Sequence, residues 1–465
     1  MINAIRGRNS ELALLVLALT TTGVAWALMD FGRGVGIDDY VYRYLAIFAA
    51  LALVAHLVVR RFAAAADPVI LPCVTLLNGL GLVFIDRLDH AEATDAAAGT
   101  PLPSPDAPHQ LVWMALGIVL FSAVLIAVRD HRSLASYAYT CGLAGLLLLL
   151  VPAVLPSRFS EVNGGKSWVR FHGFSVQPGE FAKVLLLIFV AAYLVQHREL
   201  FTIAGRRVLG MTFPRLRDLA PLLLASGVAI VVLVVEENLG FSLLIFGTIL
   251  AMIYIATDRV SWLVVGLLMF AVGCVIAYNL FAHVRVRVDV WRDPFSTYYG
   301  NGYQIAQSLF GLGTGGMLGT GLGAGRPQAV PFAKTDFIIS TIGEELGLIG
   351  LTAVIVLFLV ITIRGFKTSL AVHDSFGTLL TGGLAFSIGW QLFVVVGGVT
   401  KLIPLTGITT PFMSYGGSSL LANYIVIAIL LRVSDEARTH PPPAVRKPVH
   451  PISEAETQIV HRPLT

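Results

Sequence analysis

Residues 335–363 decide the fold, because they read Thr335-Asp336-Phe337 and then IISTIGEELGLIGLTAVIVLFLVITI. The stretch after Asp336 is long and apolar enough to cross the hydrocarbon core of a bilayer, which takes about 20 residues as a helix. Backbone groups in lipid must find their hydrogen bonds within the segment, so this stretch predicts a transmembrane helix. A carboxylate at the entrance to such a helix is a candidate functional group.

Similar apolar runs recur along the 465 residues, of which 56% are hydrophobic and 13% charged, with a mean hydropathy of +0.79. Soluble domains carry roughly 25% charged residues, so a water-soluble fold of this composition would have too few polar groups for its surface. We therefore predict an all-α, polytopic transmembrane protein with about 12 spans. The spans are expected near residues 11–30, 42–60, 68–86, 111–129, 134–153, 178–197, 218–236, 238–256, 261–281, 337–363, 375–397 and 410–432.

The distribution of cations predicts the orientation, because loops on the cytoplasmic side carry an excess of Lys and Arg. With the N-terminus inside, most Arg residues fall in inner loops, and the C-terminus is also cytoplasmic. The outer side then holds an acidic segment, 87–110, and two long segments, 154–177 and 282–336. These last two contain cations that the rule does not predict, and they need another explanation.

The first span leaves a processing question open. Arg6 and Arg8 precede an apolar stretch that ends in Ala25-Trp26-Ala27, a possible signal-peptidase site. The stretch is long for a signal peptide, which favours retention. Cleavage would leave the later helices in the same orientation.

Other features exclude some classes of function. The net charge of +4, with no basic helix carrying interleaved aromatics, does not indicate a nucleic-acid partner. The three cysteines fall within predicted spans, so a disulfide framework is not expected. Residues 434–465 are rich in Pro, His and charge without an apolar period, and we expect a mobile cytoplasmic tail.

The first long outer segment carries Lys166, Trp168 and Arg170. A Trp beside cations at headgroup level is typical of an interfacial anchor. The same residues could instead recognise a ligand, with the cations on a phosphate and Trp168 over a sugar or lipid face. Glu180 and Lys183 lie three residues apart on one helix face, where a buried structural pair is favoured over direct chemistry.

The second long outer segment, 282–336, exceeds what a simple connection needs. It carries Arg285 and Arg287, then a Gly-rich run at 311–325 that predicts a folded re-entrant or surface element. Glycines there could let backbone N–H groups approach an anion. The adjacent Glu344 and Glu345 are interpreted as packing and ion-pair residues.

Asp336 ends this segment. Partial desolvation would raise its pKa and suit it to accept a proton from a hydroxyl group. An acid favoured by the helix dipole is the competing interpretation, and the residues alone leave the two open.

At these motifs the chain resembles the SEDS family of shape, elongation, division and sporulation proteins, and within it the elongation members. The resemblance runs from roughly 68 to 432 in the family's order. The chain departs from it at Gly179, where Ser is usual, at Asn238, where Asp is usual, and at Ser167, where a basic residue is usual. The motifs are Asn163 to Trp168, Gln177 to Lys183, Arg285 to Pro294, Gly302-Tyr303-Gln304 with Gln307-Ser308, Thr335-Asp336-Phe337, Glu344-Glu345-Leu346-Gly347, and Pro404 to Ser419.

The resemblance implies a catalytic core of ten helices at 67–433, preceded by an added pair of helices at 1–66. It implies a peptidoglycan glycosyltransferase that polymerises lipid II, the undecaprenyl-pyrophosphate-linked disaccharide pentapeptide, on the outer face of the bacterial plasma membrane. Asp336 matches the family's essential aspartate and would be the general base. The implied residues around substrate and pyrophosphate are Arg287, Arg285, Lys166, Trp168, Arg170, Gln304, Gln307, Ser308 and Lys401, and the supporting ones are Glu180, Lys183, Glu344, Glu345, Ser414 and Tyr415.

The resemblance also suggests a class B penicillin-binding transpeptidase as partner, beside membrane lipid. A divalent cation such as Mg or Mn could assist, but no ligand cluster of recognisable spacing supports a metal site. A lipid II flippase would have the same body but needs ionisable groups near the midplane. A scaffold for the transpeptidase is the third hypothesis, and it predicts that the outer polar residues are individually dispensable.

Overall fold

The computed structural model describes residues 2–95, 104–161, 165–171, 174–198, 206–208, 211–213, 223, 227 and 238–439. Helices dominate this part of the chain, and the only strands described there form two short antiparallel hairpins. The helices are α1 (Ile2–Gly32), α2 (Asp39–Phe62), α3 (Ile70–Asp95), α4 (Asp106–Ala127), α5 (Ser133–Ser136), α6 (Ala138–Val154), α7 (Ser157–Ser160), α8 (Pro178–Gln196), α9 (Leu239–Thr257), α10 (Val260–Leu280), α11 (Ala282–Arg292), α12 (Tyr303–Gly315), α13 (Ile338–Ala371), α14 (Ser375–Val399) and α15 (Gly417–Thr439), with a 3-10 turn at Pro327–Ala329. The strands are β1 (Val169–Phe171), paired with β2 (Phe174–Val176), and β3 (Arg206–Val208), paired with β4 (Met211–Phe213).

Ten of the described helices are long and apolar enough to cross a membrane: α1, α2, α3, α4, α8, α9, α10, α13, α14 and α15. A further apolar helix, α6, is slightly shorter. The prediction of an all-α, multi-pass membrane protein is confirmed. The span expected at 218–236 lies outside the described residues except at 223 and 227.

The last span was expected at 410–432, and the structure corrects it. Residues 410–416 are a loop, and α15 begins at Gly417. Pro411 lacks a backbone donor, and Phe412 has a φ of 64°, which a right-handed helix cannot contain. The expected span 134–153 is likewise divided at Tyr137, between α5 and α6.

Helix α13 is broken at Gly347, whose φ is 67° and ψ is −170°. The Gly-rich run packs against this break through backbone hydrogen bonds: Leu348 N–H donates to Gly316 O at 2.9 Å and Ile349 N–H to Met317 O at 3.2 Å. A glycine is needed at 347 because its φ is positive and other backbone approaches it closely. Segment 282–336, which contains this run, is therefore bonded to α13 and is a folded element.

The N-terminal pair of helices packs against the rest of the bundle. On α1, Trp26 Nε1 donates to Asp86 of α3 at 2.9 Å, and Tyr40 of α2 donates to the same carboxylate at 3.1 Å. Near the other end, His56 Nδ1 lies 2.7 Å from Glu11 Oε1, and both side chains are buried. Buried polar groups of this kind need partners. The bonds to Asp86 therefore join the N-terminal helix pair to α3, and the His56–Glu11 contact joins α2 to α1.

The connection between α2 and α3 is held by the last helix. Ala65 N–H donates to Asp435 Oδ1 at 2.7 Å, and Asp67 N–H donates to Ser434 Oγ at 3.1 Å. The residues up to 439 are thus helical and bonded, which corrects the expectation that a mobile tail begins at 434. Residues 440–465 lie outside the described part of the chain.

Candidate active site

Asp336 lies between the outer segment and α13, one residue before its cap Phe337. It is half-buried at the surface of the site. Burial raises the pKa of Asp336 to about 6, and the positive charge of Arg287 opposes that rise. A carboxylate with this pKa is ionised at neutral pH and is a better base than an exposed aspartate.

The loop at 404–416 packs against the segment that carries Asp336. Ser414 Oγ donates to Thr335 O at 2.5 Å, and Tyr415 N–H donates to Lys334 O at 2.8 Å. Ser414 Oγ also accepts from Thr410 N–H at 2.9 Å. Ser414 and Tyr415 therefore fix the backbone on the N-terminal side of Asp336.

Helix α11 packs against the beginning of the same loop. Arg287 Nη1 lies 3.4 Å from the carbonyl oxygens of both Leu405 and Thr406. Trp291 Nε1 donates to Lys401 O at 3.1 Å, so the backbone at Lys401 is bound to this helix as well. The structure brings Arg287 into the electrostatic environment of Asp336, as the pKa of that carboxyl group shows.

Arg285 is exposed on α11, and Lys401 is half-buried. Lys401 has a φ of 63°, an unusual value for a lysine, at the turn that follows α14. Arg285 is on the same helix as Arg287, and Lys401 precedes the loop whose carbonyl oxygens Arg287 contacts.

The polar residues of α12 differ in accessibility. Gln304 and Gln307 are half-buried, and Gln307 Nε2 donates to Tyr298 Oη at 2.9 Å. Ser308 is fully buried and donates to Val399 O at 3.2 Å. Ser308 therefore joins α12 to α14, a packing role in place of the substrate contact expected for it.

The first outer segment forms the β1–β2 hairpin, in which Arg170 pairs with Ser175. Trp168 N–H donates to Ser160 O at 3.3 Å, which ties the hairpin to α7. Among the residues that the structure describes, no hydrogen bond or ion pair joins Lys166 or Arg170 to Asp336. Lys166 and Trp168 are half-buried and Arg170 is exposed; Asn163 and Gly164 of this motif lie outside the described residues.

A chain of buried polar groups connects α8 with the 404–416 loop. Lys183 Nζ lies 2.9 Å from Glu180 Oε2 and donates to Gln391 Oε1 at 3.1 Å. Gln391 Nε2 then donates to Thr409 O at 2.9 Å. The Glu180–Lys183 pair thus supports the 404–416 loop, which packs against the segment that carries Asp336. Its effect on Asp336 is indirect.

The Gly-rich run and the residue after it donate backbone N–H groups to carboxylates of the protein itself. Gly323 N–H donates to Glu345 Oε2 at 3.0 Å, and Arg326 N–H donates to Glu344 Oε1 at 2.7 Å. Glu345 also pairs with Arg87 of α3 at 3.1 Å. The anions that this run receives are the protein's own carboxylates, which explains the two adjacent glutamates.

Lys334 was not singled out from the sequence. Its Nζ lies within 3.0 Å of three carboxylates from the acidic stretch at the end of α3 and the start of α4. The signal available beforehand was a cation two residues before Asp336, together with an unexplained acidic segment at 87–110. Their pairing depends on tertiary structure that the periodicity of single helices does not report.

One group of potential metal ligands, Asp130, His131 and Glu436, occurs in the described part of the chain. It lies near the start of α14, whereas Asp336 lies at the other end of α13. His131 is already bonded there, with Nε2 2.8 Å from Asp374 and Nδ1 2.8 Å from Glu436. This cluster is a polar contact between helix ends and does not bring a metal to Asp336.

Comparison with known proteins gives consistent matches. The FtsW/RodA/SpoVE family model, described as cell cycle protein, matches residues 68–439. The peptidoglycan glycosyltransferase RodA of Mycobacterium tuberculosis is 52% identical over 457 residues, covering 98% of this chain and 96% of the relative. RodA of Mycobacterium leprae is 50% identical over 455 residues, with the same coverage.

Solved structures share the architecture. A chain from a structure described as "Structural coordination of polymerization and crosslinking by a peptidoglycan synthase complex" superposes with a TM-score of 0.63 at 25% identity. The superposition covers 80% of this chain and 98% of that chain. The family model begins just before α3, whereas the mycobacterial relatives match over a length that takes in the N-terminal helices.

Proposed function

The chain belongs to the FtsW/RodA/SpoVE family of cell cycle proteins, and we propose that it is a peptidoglycan glycosyltransferase that polymerises lipid II for cell elongation and shape. The relatives that carry this activity in their names match almost the whole chain at 50% and 52% identity. The single observation that carries the mechanism is the environment of Asp336. Its carboxylate is desolvated, lies close to a cation and is accessible from the surface.

Asp336 acts as the general base. It removes the proton from the 4-hydroxyl of one lipid-linked disaccharide, and the hydroxyl oxygen bonds to the anomeric carbon of the growing chain. The bond from that carbon to the lipid pyrophosphate breaks with inversion, and the bonding electrons leave with the pyrophosphate. The proton passes from Asp336 to water. A positioned base contributes typically 10²–10⁴-fold to such a step.

The leaving pyrophosphate needs positive charge on the same side of the membrane. Arg287 is the first candidate because its charge already acts on Asp336. Arg285, on the same helix, and Lys401, whose carbonyl oxygen is bonded to that helix, are the other candidates. Charges placed in advance where negative charge develops stabilise the transition state without reorganisation. This role explains why the outer segments carry cations against the orientation rule.

The remaining expected ligands lie on α12 and in the segment that forms the β1–β2 hairpin. On α12, Gln304 and Gln307 are half-buried and offer amides to the sugar. On the hairpin side, Lys166, Trp168 and Arg170 suit the more distant part of the substrate, because no polar contact joins them to Asp336 in the described residues. A divalent cation such as Mg or Mn would supply further positive charge for the leaving pyrophosphate, and it stays part of the proposal.

The enzyme is a multi-pass membrane protein, and we place Asp336 on the outer face of the plasma membrane with both termini in the cytoplasm. A class B penicillin-binding transpeptidase is the proposed partner, because the new strand must be crosslinked. Its support is the similarity to a chain from a structure described as a peptidoglycan synthase complex. Single cysteines in place of Tyr299 and Arg129, both exposed, test the orientation. An impermeant reagent added outside should label the first only.

The activity is tested with purified protein and fluorescent lipid II, by following polymer length and release of the lipid pyrophosphate. Asp336→Asn should abolish polymer formation while the protein keeps its melting temperature. Asp38→Asn is the matched control, because Asp38 is an exposed carboxylate on the same face that makes no side-chain cap bond. Full polymerisation by Asp336→Asn would refute the general-base role.

The same variants separate the two other hypotheses. A flippase would move labelled lipid II across vesicle membranes without making polymer, and Asp336→Asn would leave that movement unchanged. A scaffold would tolerate Asp336→Asn and each cation variant in a reaction supplemented with its transpeptidase partner. Glu180 and Lys183 form a buried ion pair with each other. The pair therefore offers no unpaired charge to couple ion movement to lipid II transport, as a flippase would need.

A further inference from the structure

Lys334 lies in a cage of three carboxylates. Its Nζ is 2.7 Å from Asp89 Oδ1, 2.6 Å from Glu92 Oε2 and 3.0 Å from Asp106 Oδ2. The lysine side chain is only 9% exposed. Desolvation lowers the pKa of Lys334, but hydrogen bonds to the three acids outweigh it and raise the pKa above its ordinary value, so the ammonium group is charged.

The cage joins three parts of the chain. Asp89 Oδ2 accepts from the N–H groups of Asp106 and Ala107, both at 2.8 Å, so this carboxylate already links the end of α3 to the start of α4. The Tyr415 hydroxyl bonds to Asp106 from the 404–416 side, and burial raises the pKa of Tyr415 to about 12. Among the described residues, Lys334 is the only cation recorded in contact with this cage.

The backbone at Lys334 is fixed as firmly as its side chain. Its carbonyl accepts from Tyr415 N–H at 2.8 Å, and the next carbonyl, of Thr335, accepts from Ser414 Oγ at 2.5 Å. Asp336 follows directly in the chain. The segment 334–336 is therefore held both through the side chain of Lys334 and through the carbonyls of Lys334 and Thr335.

We propose that Lys334 is a positioning residue for glycosyl transfer, and that its ion pairs with Asp89, Glu92 and Asp106 hold the carboxylate of Asp336 in its desolvated, reactive place. This inference rests on the proposed role of Asp336 as the general base. Lys334 acts through the short segment 334–336, because its own ammonium group is buried and fully engaged. A catalytic carboxylate on a loop needs such support, since small displacements of reacting groups cost large factors in rate.

The cage allows a charge-matched test. Three carboxylates and one ammonium group carry two negative charges in total, and Glu92→Gln with Lys334→Met leaves two carboxylates and the same total charge. Lys334→Met alone leaves three unneutralised carboxylates, and breaking a buried ion pair in this way threatens the fold itself. The double variant removes the ion pairs at unchanged total charge, and Asp89 keeps the N–H groups of Asp106 and Ala107, so we expect a smaller penalty than for Lys334→Met alone.

The experiment uses the purified full chain and lipid II, with melting temperature, kcat, KM and the pH dependence of kcat/KM as readouts. For the double variant we expect a melting temperature near that of the wild type, a fall in kcat of at least about tenfold, and a KM changed by less than about threefold. The acid limb of its pH profile should move below about 6, because a loosened Asp336 becomes better hydrated. Glu92→Gln alone, with Lys334 still paired to two acids, should keep most of the activity.

Two results would overturn the inference. One is a double variant with wild-type kcat and an unmoved pH profile, and the other is a double variant that fails to fold, because the ammonium group would then serve stability alone. Asp336→Asn, measured in parallel, distinguishes a failure of the Lys334 inference from a failure of the proposed function. If Asp336→Asn is inactive and the double variant is fully active, only the role of Lys334 fails; if Asp336→Asn is active, the general base itself is wrongly assigned.

Discussion

The Oδ2 atom of Asp336 lies 3.7 Å from the point that a Cβ atom would occupy at Gly407. Gly407 has a φ of 70°, a conformation that side chains rarely adopt. The carboxylate of Asp336 therefore faces backbone that carries no side chain at Gly407. That backbone belongs to the loop that Ser414 anchors to the carbonyl of Thr335.

Gly407→Ala should lower both stability and activity. The strained φ costs about 1–2 kcal/mol, and the new methyl group reaches van der Waals contact with Asp336. We expect a lower melting temperature and a reduction of kcat that exceeds the loss of folded protein. Gly313→Ala is the control, because that position on α12 is open and helical. Equal effects of Gly407→Ala and Gly313→Ala on stability and kcat would contradict a contact between residue 407 and Asp336.

The rate of polymerisation should fall at acid pH with a midpoint near pH 6. A general base must be ionised to accept a proton, and burial raises the pKa of Asp336 to about 6. Above that pH the carboxylate is ionised and active, and below it each unit of pH should reduce kcat/KM about tenfold. Initial rates measured from about pH 3 to 8 test this. A midpoint near the ordinary aspartate value of about 3.9 would mean that Asp336 is fully hydrated during the reaction.

Arg287→Ala should move the same midpoint upward and lower kcat/KM. The arginine opposes the rise in the pKa of Asp336, so its removal lets that pKa increase further. The loss of a cation beside the leaving pyrophosphate should reduce kcat/KM about 100-fold at neutral pH. Arg292→Ala, an exposed arginine on the same helix, should change the rate less than twofold. Matching pH profiles for the two variants would show that Arg287 does not act on Asp336.

Glu180→Gln and Lys183→Met should each destabilise the protein by about 3–5 kcal/mol, because each leaves an unpaired buried charge. The double variant removes both charges and should recover part of that loss. It also removes the donor to Gln391, which holds Thr409, so its activity should recover less than its stability. Unfolding by denaturant in detergent micelles, beside the polymerisation assay, measures both. A double variant as unstable as the single ones would show that the pair is not the stabilising element.

Sequence reasoning succeeded where a single segment carries the information. Lipid requires long apolar helices, so composition and run length predicted the spans, and the position of Asp336 at the entrance of α13 made it a candidate functional carboxylate, with desolvation as one of two open interpretations. The helix starting at Gly417 was placed too early, because apolar residues at 410–416 mimic a span while Pro411 and the positive φ of Phe412 prevent it.

The partners of polar groups could not be predicted in the same way. The Gly-rich run was expected to offer N–H groups to an anion, and the anions turned out to be the carboxylates of Glu344 and Glu345, supplied by the next helix. Lys334 meets Glu92, 242 residues earlier in the chain. Such pairings depend on which helices become neighbours, and neither hydropathy nor charge spacing reports that.

The hydrogen bonds between the α2–α3 connection and α15 have a consequence for biosynthesis. Ala65 and its acceptor Asp435 are 370 residues apart, and Asp67 and Ser434 are 367 apart. Synthesis proceeds from the N-terminus, so the first three helices enter the membrane long before their partner exists. The ribosome must have made nearly the whole protein before this connection can close, and a chain that stops short of α15 should be a substrate for membrane proteases.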